Sequence, residues 1–303
     1  MDCERLTDTA VALGSFDGLH IGHKKVIASA LSMRASGLLP VILLFDVHPQ
    51  AVLGSAPDEI LQKHIRNRIL RRAGIKAVTV PFKDICNMSP EEFFDSVLIG
   101  KLGAKALCCG ENYRFGKDAA GGRDVLETLC ENAGVTLDVS KSVNYYGRPV
   151  SSTRIRKALS QGKIPLANAM LGRPFCYDGK VREGDRRGRL MGAPTANQLF
   201  PRNFIIPATG AYASCVTIGG RQYRAVTNIG VRPTFNKTRL QSETHIIGFD
   251  GDLYGKNLEV SLLDFLRPEQ KFSGMDELAK QIEEDKSLSM QARLPEEENS
   301  FVR

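Results

Sequence analysis

The pattern of apolar and polar positions changes character about halfway along the chain. From Ala10 to about Leu171, short apolar runs alternate with stretches of helical periodicity, and "AVALGS", "VILLFD", "AVTVPF", "AKALCCG" and "VTLDVS" read as strands. The segments between them are mostly long enough for helices. One helix start is well marked: "SPEEFF" offers Ser89 as N-cap, Pro90 at the first helical position and Glu92 to close a capping box. Repeated strand–helix alternation with near-continuous apolar strands predicts an α/β domain built on a doubly wound parallel sheet covered on both faces. In such sheets ligands bind beyond the carboxyl ends of the strands.

After Gly172 the rhythm changes. "DGKVREGDRRGRLMGAPTANQLFPRN" is rich in Gly, Pro and Arg, and "YASCVTIGGRQYRAVTNIG" reads as two strands joined by Gly219 and Gly220 in a tight turn. The alternating runs "SETHIIGFD" and "KNLEVSLLDFLR" follow, then one helical pattern at "MDELAKQIEEDK". These features predict an antiparallel β-barrel with a late helix. The expected division is therefore 1–171 for the α/β domain, 172–287 for the barrel and 288–303 for a disordered tail.

Composition narrows the classes of function. The chain has 303 residues, 42% hydrophobic and 25% charged, and no segment approaches the roughly 18 apolar residues that cross a bilayer. A soluble protein with no membrane partner is expected. "MDCERLTDTA" lacks the pattern of a signal peptide, so the seven cysteines are expected as reduced thiols in the cytoplasm. No CxxC pair suggests zinc. A net charge of +7 favours an anionic partner without choosing one. The densest basic run, Lys63 to Lys76, carries Ile65, Ile69 and Leu70 at helical spacing and reads as an amphipathic helix with a solvated face.

Candidate chemistry concentrates where the first strand ends. "GSFDGLHIGH", Gly14 to His23, puts two histidines three residues apart at a helix start. Free amides there, with His20 and His23, suit the charge that develops on a transferred phosphoryl group. Gly22 lets a nucleotide approach the backbone closely. "VSSTRIRKAL", Val150 to Leu159, sets hydroxyls near a second helix start among arginines, which also suits phosphate oxygens. In an extended "PTAN" segment, Thr195 and Asn197 point to one side and can present two oxygens to one Mg²⁺. Strand alternation likewise puts Glu243 and His245 on one face.

Together these motifs resemble the bacterial bifunctional riboflavin kinase/FAD synthetase (FMN adenylyltransferase) family, over about Val11 to Lys286. "GSFDGLHIGH" is similar to the signature of the HxGH nucleotidyltransferases, which implies ATP contacts at Gly14, Phe16, Asp17, His20 and His23, and "VSSTRIR" adds Ser152, Thr153 and Arg156. "LLFDVHPQAVL" resembles the family's FDPHP segment with Val47 in place of the first proline, and "GENYRFGKDAAG" its RFG segment. These imply flavin or nucleotide contacts at His48, Pro49, Asn112, Arg114 and Phe115. "GKVREGDRRGRLMGAPTANQLFP" resembles the riboflavin kinase motif, implying ATP contacts at Gly179, Gly188, Thr195 and Asn197, with the last two on Mg²⁺. "NIGVRPTF" and "SETHIIGFDGDLYG" resemble further flavokinase segments, and the second makes Glu243 the general base.

The resemblance implies two activities. Riboflavin is phosphorylated by ATP to FMN in the C-terminal domain, and FMN is adenylylated by a second ATP to FAD and pyrophosphate in the N-terminal domain. Two alternatives stand beside it. The first is a kinase whose adenylyltransferase half has degenerated, for which Val47 is the argument. The second is an RNA-binding or tRNA-charging protein, because "HIGH" also resembles class I aminoacyl-tRNA synthetases. Against the latter, no KMSKS-like loop and no aromatic–basic ladder follows, so small-molecule substrates and no nucleic acid are the expected partners. The oligomeric state is left open.

Overall fold

The computed structural model describes residues 5–51, 54, 56–183, 195–234 and 237–295. Its contacts divide the chain into two compact units. One holds residues up to Pro57 together with Lys63–Ser151, and the other holds Asp58–Gln62 together with the chain from Ser152 onward.

The first unit is a five-stranded parallel sheet. Its strands are β1 (Thr9–Ala12), β2 (Leu39–Phe45), β3 (Lys76–Val80), β4 (Ala104–Gly110) and β5 (Thr136–Ser140), in spatial order β3-β2-β1-β4-β5. Val11 lies opposite Val41 on one side and Leu107 on the other. The central strands are mostly apolar, as a sheet covered on both faces requires, and all four residues of β1 are buried. Edge strand β3 alternates instead, burying only Val78 and Val80. The order reverses direction between β1 and β4, which places the topological switch point at the end of β1.

Helices fill the connections: α1 (Ile21–Ser32), α2 (Lys63–Arg72), α3 (Phe82–Ile85), α4 (Pro90–Phe93) and α5 (Arg123–Ala133). Helix α2 buries Ile65, Ile69 and Leu70, the face that its spacing predicted. The capping box at Ser89 is present, with Glu92 N donating to Ser89 Oγ at 3.1 Å and Ser89 N to Glu92 Oε2 at 2.8 Å. After Phe93 the chain widens into a π-helical segment, Phe94–Lys101, whose buried residues Phe94, Val97 and Leu98 pack into the core beside Leu43 and Leu107. A two-residue-strand hairpin, β6 (Asn144–Tyr145) and β7 (Arg148–Pro149), ends the unit.

The second unit opens with α6 (Ser152–Ser160) and α7 (Ile164–Leu171), continues through β8 (Phe175–Lys180), β9 (Thr195–Leu199), β10 (Gly210–Ile218), β11 (Arg221–Thr234), β12 (Lys237–Ile246) and β13 (Asn257–Pro268), and closes with α8 (Met275–Gln291). The strands form one antiparallel sheet in the order β8-β13-β10-β11-β12-β9. The sheet curls until its two edges approach each other. Arg182, just past β8, forms a bridge with Asn197 of β9, and Gln198 Nε2 donates to the carbonyls of Gly179 (2.7 Å) and Leu258 (2.6 Å). Gly219 and Gly220, both at positive φ, make the expected tight turn between β10 and β11.

Two differences from the sequence reading concern what packs where. Helices α6 and α7, read with the α/β half, pack in the second unit: α7 buries Ala167, Met170 and Leu171, and its Asn168 donates from Nδ2 to Leu262 O and accepts from Phe175 N. Asp58–Gln62 joins the same unit, through a Glu59–Phe204 bridge and a reciprocal pair of hydrogen bonds between Gln62 and Asp178. Helix α8 runs to Gln291, so residues 288–291, read as tail, are helical; residues 296–303 lie outside the described residues.

Helix α8 is fixed to the barrel by charge. Asp285, 2% exposed, takes a bidentate bond from Arg267 of β13, with Nη2 at 2.8 Å from Oδ2 and Nε at 3.0 Å from Oδ1. Removing the carboxylate leaves a half-buried guanidinium without that partner. Asp285→Ala is therefore expected to destabilise the second unit by about 3–5 kcal/mol, read as a lower urea midpoint for loss of barrel structure.

Candidate active sites

The first site grows from the end of β1. The strand stops at Ala12, and Leu13 to His20 form a tight loop in which Phe16, Gly18 and Leu19 all have positive φ. Phe16 and Leu19 are large residues in a sparsely populated conformation, held there by complete burial. His20 is the N-cap of α1 rather than a first-turn residue: its Nδ1 accepts from His23 N at 3.2 Å. A neutral imidazole that accepts at Nδ1 carries its proton on Nε2. The rings of His20 and His23 are stacked, with centroids 3.6 Å apart, and Phe16 lies under His23 at 5.3 Å. A Cβ on Gly22 would come within 3.1 Å of the His20 ring, so a larger residue there would press on the stack.

Both histidines resist protonation. Burial lowers the His20 pKa to about 4, partly offset by its backbone hydrogen bond, and burial followed by proximity to His20 holds His23 well below the usual range. For His20 the unfolded chain binds its proton near pH 6.5 and the folded chain only near pH 4, and His23 shifts in the same direction, so this contribution to stability is complete above about pH 6.5 and falls toward about pH 4. The melting temperature of the first unit is expected to drop as pH falls through that window. Saturating ATP is expected to reduce the drop, because phosphate beside the rings favours their charged forms.

The loop opens onto a cavity of about 900 Å³. Gly14, His20, Gly22 and His23 lie on its wall, and so do four of the five residues expected from the other motifs: Pro49, Asn112, Arg114 and Phe115. Phe16 and Asp17 do not line it. Phe16 is fully buried with its ring against Gly14, and Asp17 is 7% exposed. His48 is also off the wall, and its Nδ1 accepts from Gln50 N at 3.2 Å.

The loop carrying Arg114 and Phe115 folds back on two glycines. Phe115 and Gly121 exchange backbone hydrogen bonds at 3.0 and 2.9 Å, and a Cβ on Gly121 would strike the Phe115 ring. At the substituted FDPHP segment, Asp46 Oδ1 accepts from both Val47 N (2.9 Å) and Phe82 N (2.8 Å). A proline at 47 has no N–H to donate. Here a hydrogen bond supplies the restraint that the ring would have imposed.

Several wall residues escaped the sequence reading. Phe45 meets Phe82 edge-on at 5.4 Å and Tyr113 stacks on Phe115 at 5.8 Å, giving the cavity an aromatic side; Lys117 and Lys141 add positive charge. A strand-end or helix-start aromatic reads as core from its spacing alone. Only the meeting of β2, α3 and the loop after β4 brings these rings to one cavity.

The second site is a row across three strands. Glu243 of β12 lies opposite Asn197 of β9 and Asn228 of β11, and His245 lies opposite Thr195 and Val226. The predicted pairs therefore share one face. Asn197 Nδ2 lies 3.3 Å from Thr195 O and 3.5 Å from Thr195 Oγ1. Thr195 Oγ1 and the amide oxygen of Asn197 belong to neighbouring side chains on this face, and such neutral oxygens suit a magnesium ion that keeps its waters and phosphates as other ligands. The donor set fits a hard cation. Gly179 sits at the barrel seam, where Gln198 Nε2 donates to its carbonyl and would stand 3.4 Å from a Cβ at that position. Gly188 lies outside the described residues. Ser152, Thr153 and Arg156 are on α6 in the second unit, and Arg156 Nε donates to Asp58 O at 2.7 Å.

Comparison with known proteins assigns a description to each half. A family model described as FAD synthetase matches residues 2–154, and one described as riboflavin kinase matches residues 171–292. The bifunctional riboflavin kinase/FMN adenylyltransferase of Bacillus subtilis (strain 168) is 34% identical over 294 residues, covering 93% of this chain and 92% of the relative. That of Escherichia coli (strain K12) is 32% identical over 281 residues, 91% and 90% of the two chains. A crystal structure from Streptococcus pneumoniae, described as a macrolide-efflux protein, superposes with a TM-score of 0.88 at 30% identity, covering 96% of this chain and 97% of that one. Among the described residues no helix is long and apolar enough to cross a membrane.

Proposed function

The chain belongs to the bifunctional riboflavin kinase/FMN adenylyltransferase family, and from that premise we propose how its residues divide two successive reactions. It phosphorylates riboflavin with ATP to give FMN and ADP, and adenylylates FMN with ATP to give FAD and pyrophosphate. The observation that carries this reading is the presence on one chain, in order, of a FAD synthetase match and a riboflavin kinase match. A tRNA-charging protein accounts for neither match, and the bifunctional relatives favour two working halves over a kinase alone.

In the α/β half, an oxygen of the FMN phosphate attacks the α-phosphorus of ATP and pyrophosphate departs. The attacking oxygen is already ionised, so no base is needed. His20 and His23, neutral and stacked at the start of α1, donate hydrogen bonds to the oxygens that gain charge, and the free amides of the first turn add to them. Ser152, Thr153 and Arg156 supply further phosphate contacts. Asn112, Arg114 and Phe115, with His48 and Pro49, hold the flavin nucleotide.

In the barrel half, Glu243 accepts the proton of the terminal ribityl hydroxyl as that oxygen attacks the γ-phosphorus of ATP, and ADP leaves. Thr195 and Asn197 hold Mg²⁺, which when bound neutralises charge on the ATP phosphates. Gly179 and Gly188 let the nucleotide approach the backbone. We assign the protein to the cytoplasm, supported by six described cysteines that are all free thiols, and assign its positive charge to nucleotide phosphates rather than nucleic acid.

The test is a pair of incubations with ATP and Mg²⁺, one starting from riboflavin and one from FMN, with the flavins separated by chromatography. The first is expected to yield FMN and then FAD, the second FAD alone. Failure to make FAD from either flavin would remove the adenylyltransferase half, and failure to make FMN would remove the kinase half.

A further inference from the structure

One neighbour of Glu243 stands outside every motif. Gln241 stands two positions before Glu243 on β12, hence on the same face of the sheet, and is only 8% exposed. Its Nε2 donates to Glu243 Oε1 at 2.8 Å. The reverse amide orientation would set two oxygens against each other, so the donor assignment follows from the carboxylate itself. Gln241 lies opposite Leu199 on β9 and Gly230 on β11. Over Gly230 the room is taken by Glu269, whose Oε1 stands 2.7 Å from where a Cβ would be. Gln241 is thus buried in a bounded place, and it occupies one of the two oxygens of Glu243.

We propose that Gln241 is a positioning residue for riboflavin phosphorylation: it fixes the Glu243 side chain and reserves Oε1, leaving Oε2 to take the proton from the ribityl hydroxyl. The inference deepens the proposed function and rests on Glu243 being the general base. A glutamate on a strand has three side-chain torsions, and proton transfer needs its oxygen within hydrogen-bond reach of the hydroxyl. The neighbouring amide removes most of that freedom before substrate arrives. The proton goes to Oε2 as the ribityl oxygen–phosphorus bond forms and the bond to the ADP oxygen breaks. It passes to water after FMN leaves.

The test uses the full chain with Gln241→Met, which keeps size and removes the donor, and Gln241→Ala as a second variant. The kcat for riboflavin phosphorylation is expected to fall roughly 10- to 100-fold, with KM for riboflavin within about two-fold and FMN adenylylation unchanged. A double-mutant cycle separates positioning from mere packing: in a Glu243→Gln background, Gln241→Met is expected to cause no further loss. A wild-type kcat in both Gln241 variants overturns the inference, as does a further loss of about ten-fold in the double mutant. If Glu243→Gln alone keeps full kinase activity, the base assignment falls and the inference falls with it. If Glu243→Gln is inactive while both Gln241 variants are normal, only the inference fails.

Discussion

His20→Ala is expected to slow adenylylation of FMN by about 10²–10³-fold and to leave riboflavin phosphorylation unchanged. Two losses combine in that variant. The imidazole caps α1 through Nδ1 and lies on the cavity wall, so alanine removes both a helix cap and the proposed donor to the transition state. A lost N-cap costs about 1 kcal/mol, far less than the predicted loss of rate. His20→Asn separates the two. Asparagine is a good N-cap but cannot place a donor where Nε2 was, so melting temperature is expected to recover while adenylyl transfer stays low. Full recovery of activity in His20→Asn would mean that His20 serves only as a cap.

Glu243→Gln is expected to give the mirror result, with riboflavin phosphorylation reduced about 10²–10⁴-fold and adenylylation of FMN untouched. Glutamine keeps the shape and the neighbourhood of Asn197 and Asn228 but cannot accept a proton. His245 is the competitor on the same face. It sits one row away, opposite Thr195, so His245→Asn is expected to alter the end of the site proposed for the cation and to leave the proposed base. If His245→Asn abolished proton transfer while Glu243→Gln spared it, the roles would be exchanged.

What the sequence revealed, and what it hid, follows from the range of the interactions. Strands β1, β2 and β4 were legible because burial on both faces writes a nearly continuous apolar run, and the start of α1 was legible because its glycines and two histidines stand close together. That Thr195 shares a face with Asn197, and Glu243 with His245, followed from strand alternation, whereas the meeting of the two pairs depends on the pairing of β9 with β12. Helices α6 and α7 carried a clear apolar stripe, yet a stripe says that something covers it and not which sheet does. The Asp58–Gln62 segment had no periodicity to read, because its pairing to Phe204 and Asp178 is set by residues more than a hundred positions away. The widened turn at Phe94–Lys101 and the aromatic wall of Phe45, Phe82 and Tyr113 were hidden for the same reason.

Val47 shows how a departure from a family pattern can be absorbed. A proline would fix the backbone by its ring, whereas Val47 donates its N–H to the carboxylate that also receives Phe82 N. Asp46 thereby ties the segment to the start of α3, and the substitution is no sign of a degenerate half.

The measurement that tests the central claim most directly follows each phosphate of ATP. Riboflavin is incubated with the protein and Mg²⁺, once with ATP labelled at the γ-phosphate and once with ATP labelled at the α-phosphate, and FMN and FAD are isolated. If the barrel transfers the γ-phosphoryl group and the α/β half transfers the adenylyl group, FMN carries only the γ label and FAD carries both. An FAD lacking the α label, or an FMN lacking the γ label, would contradict the account.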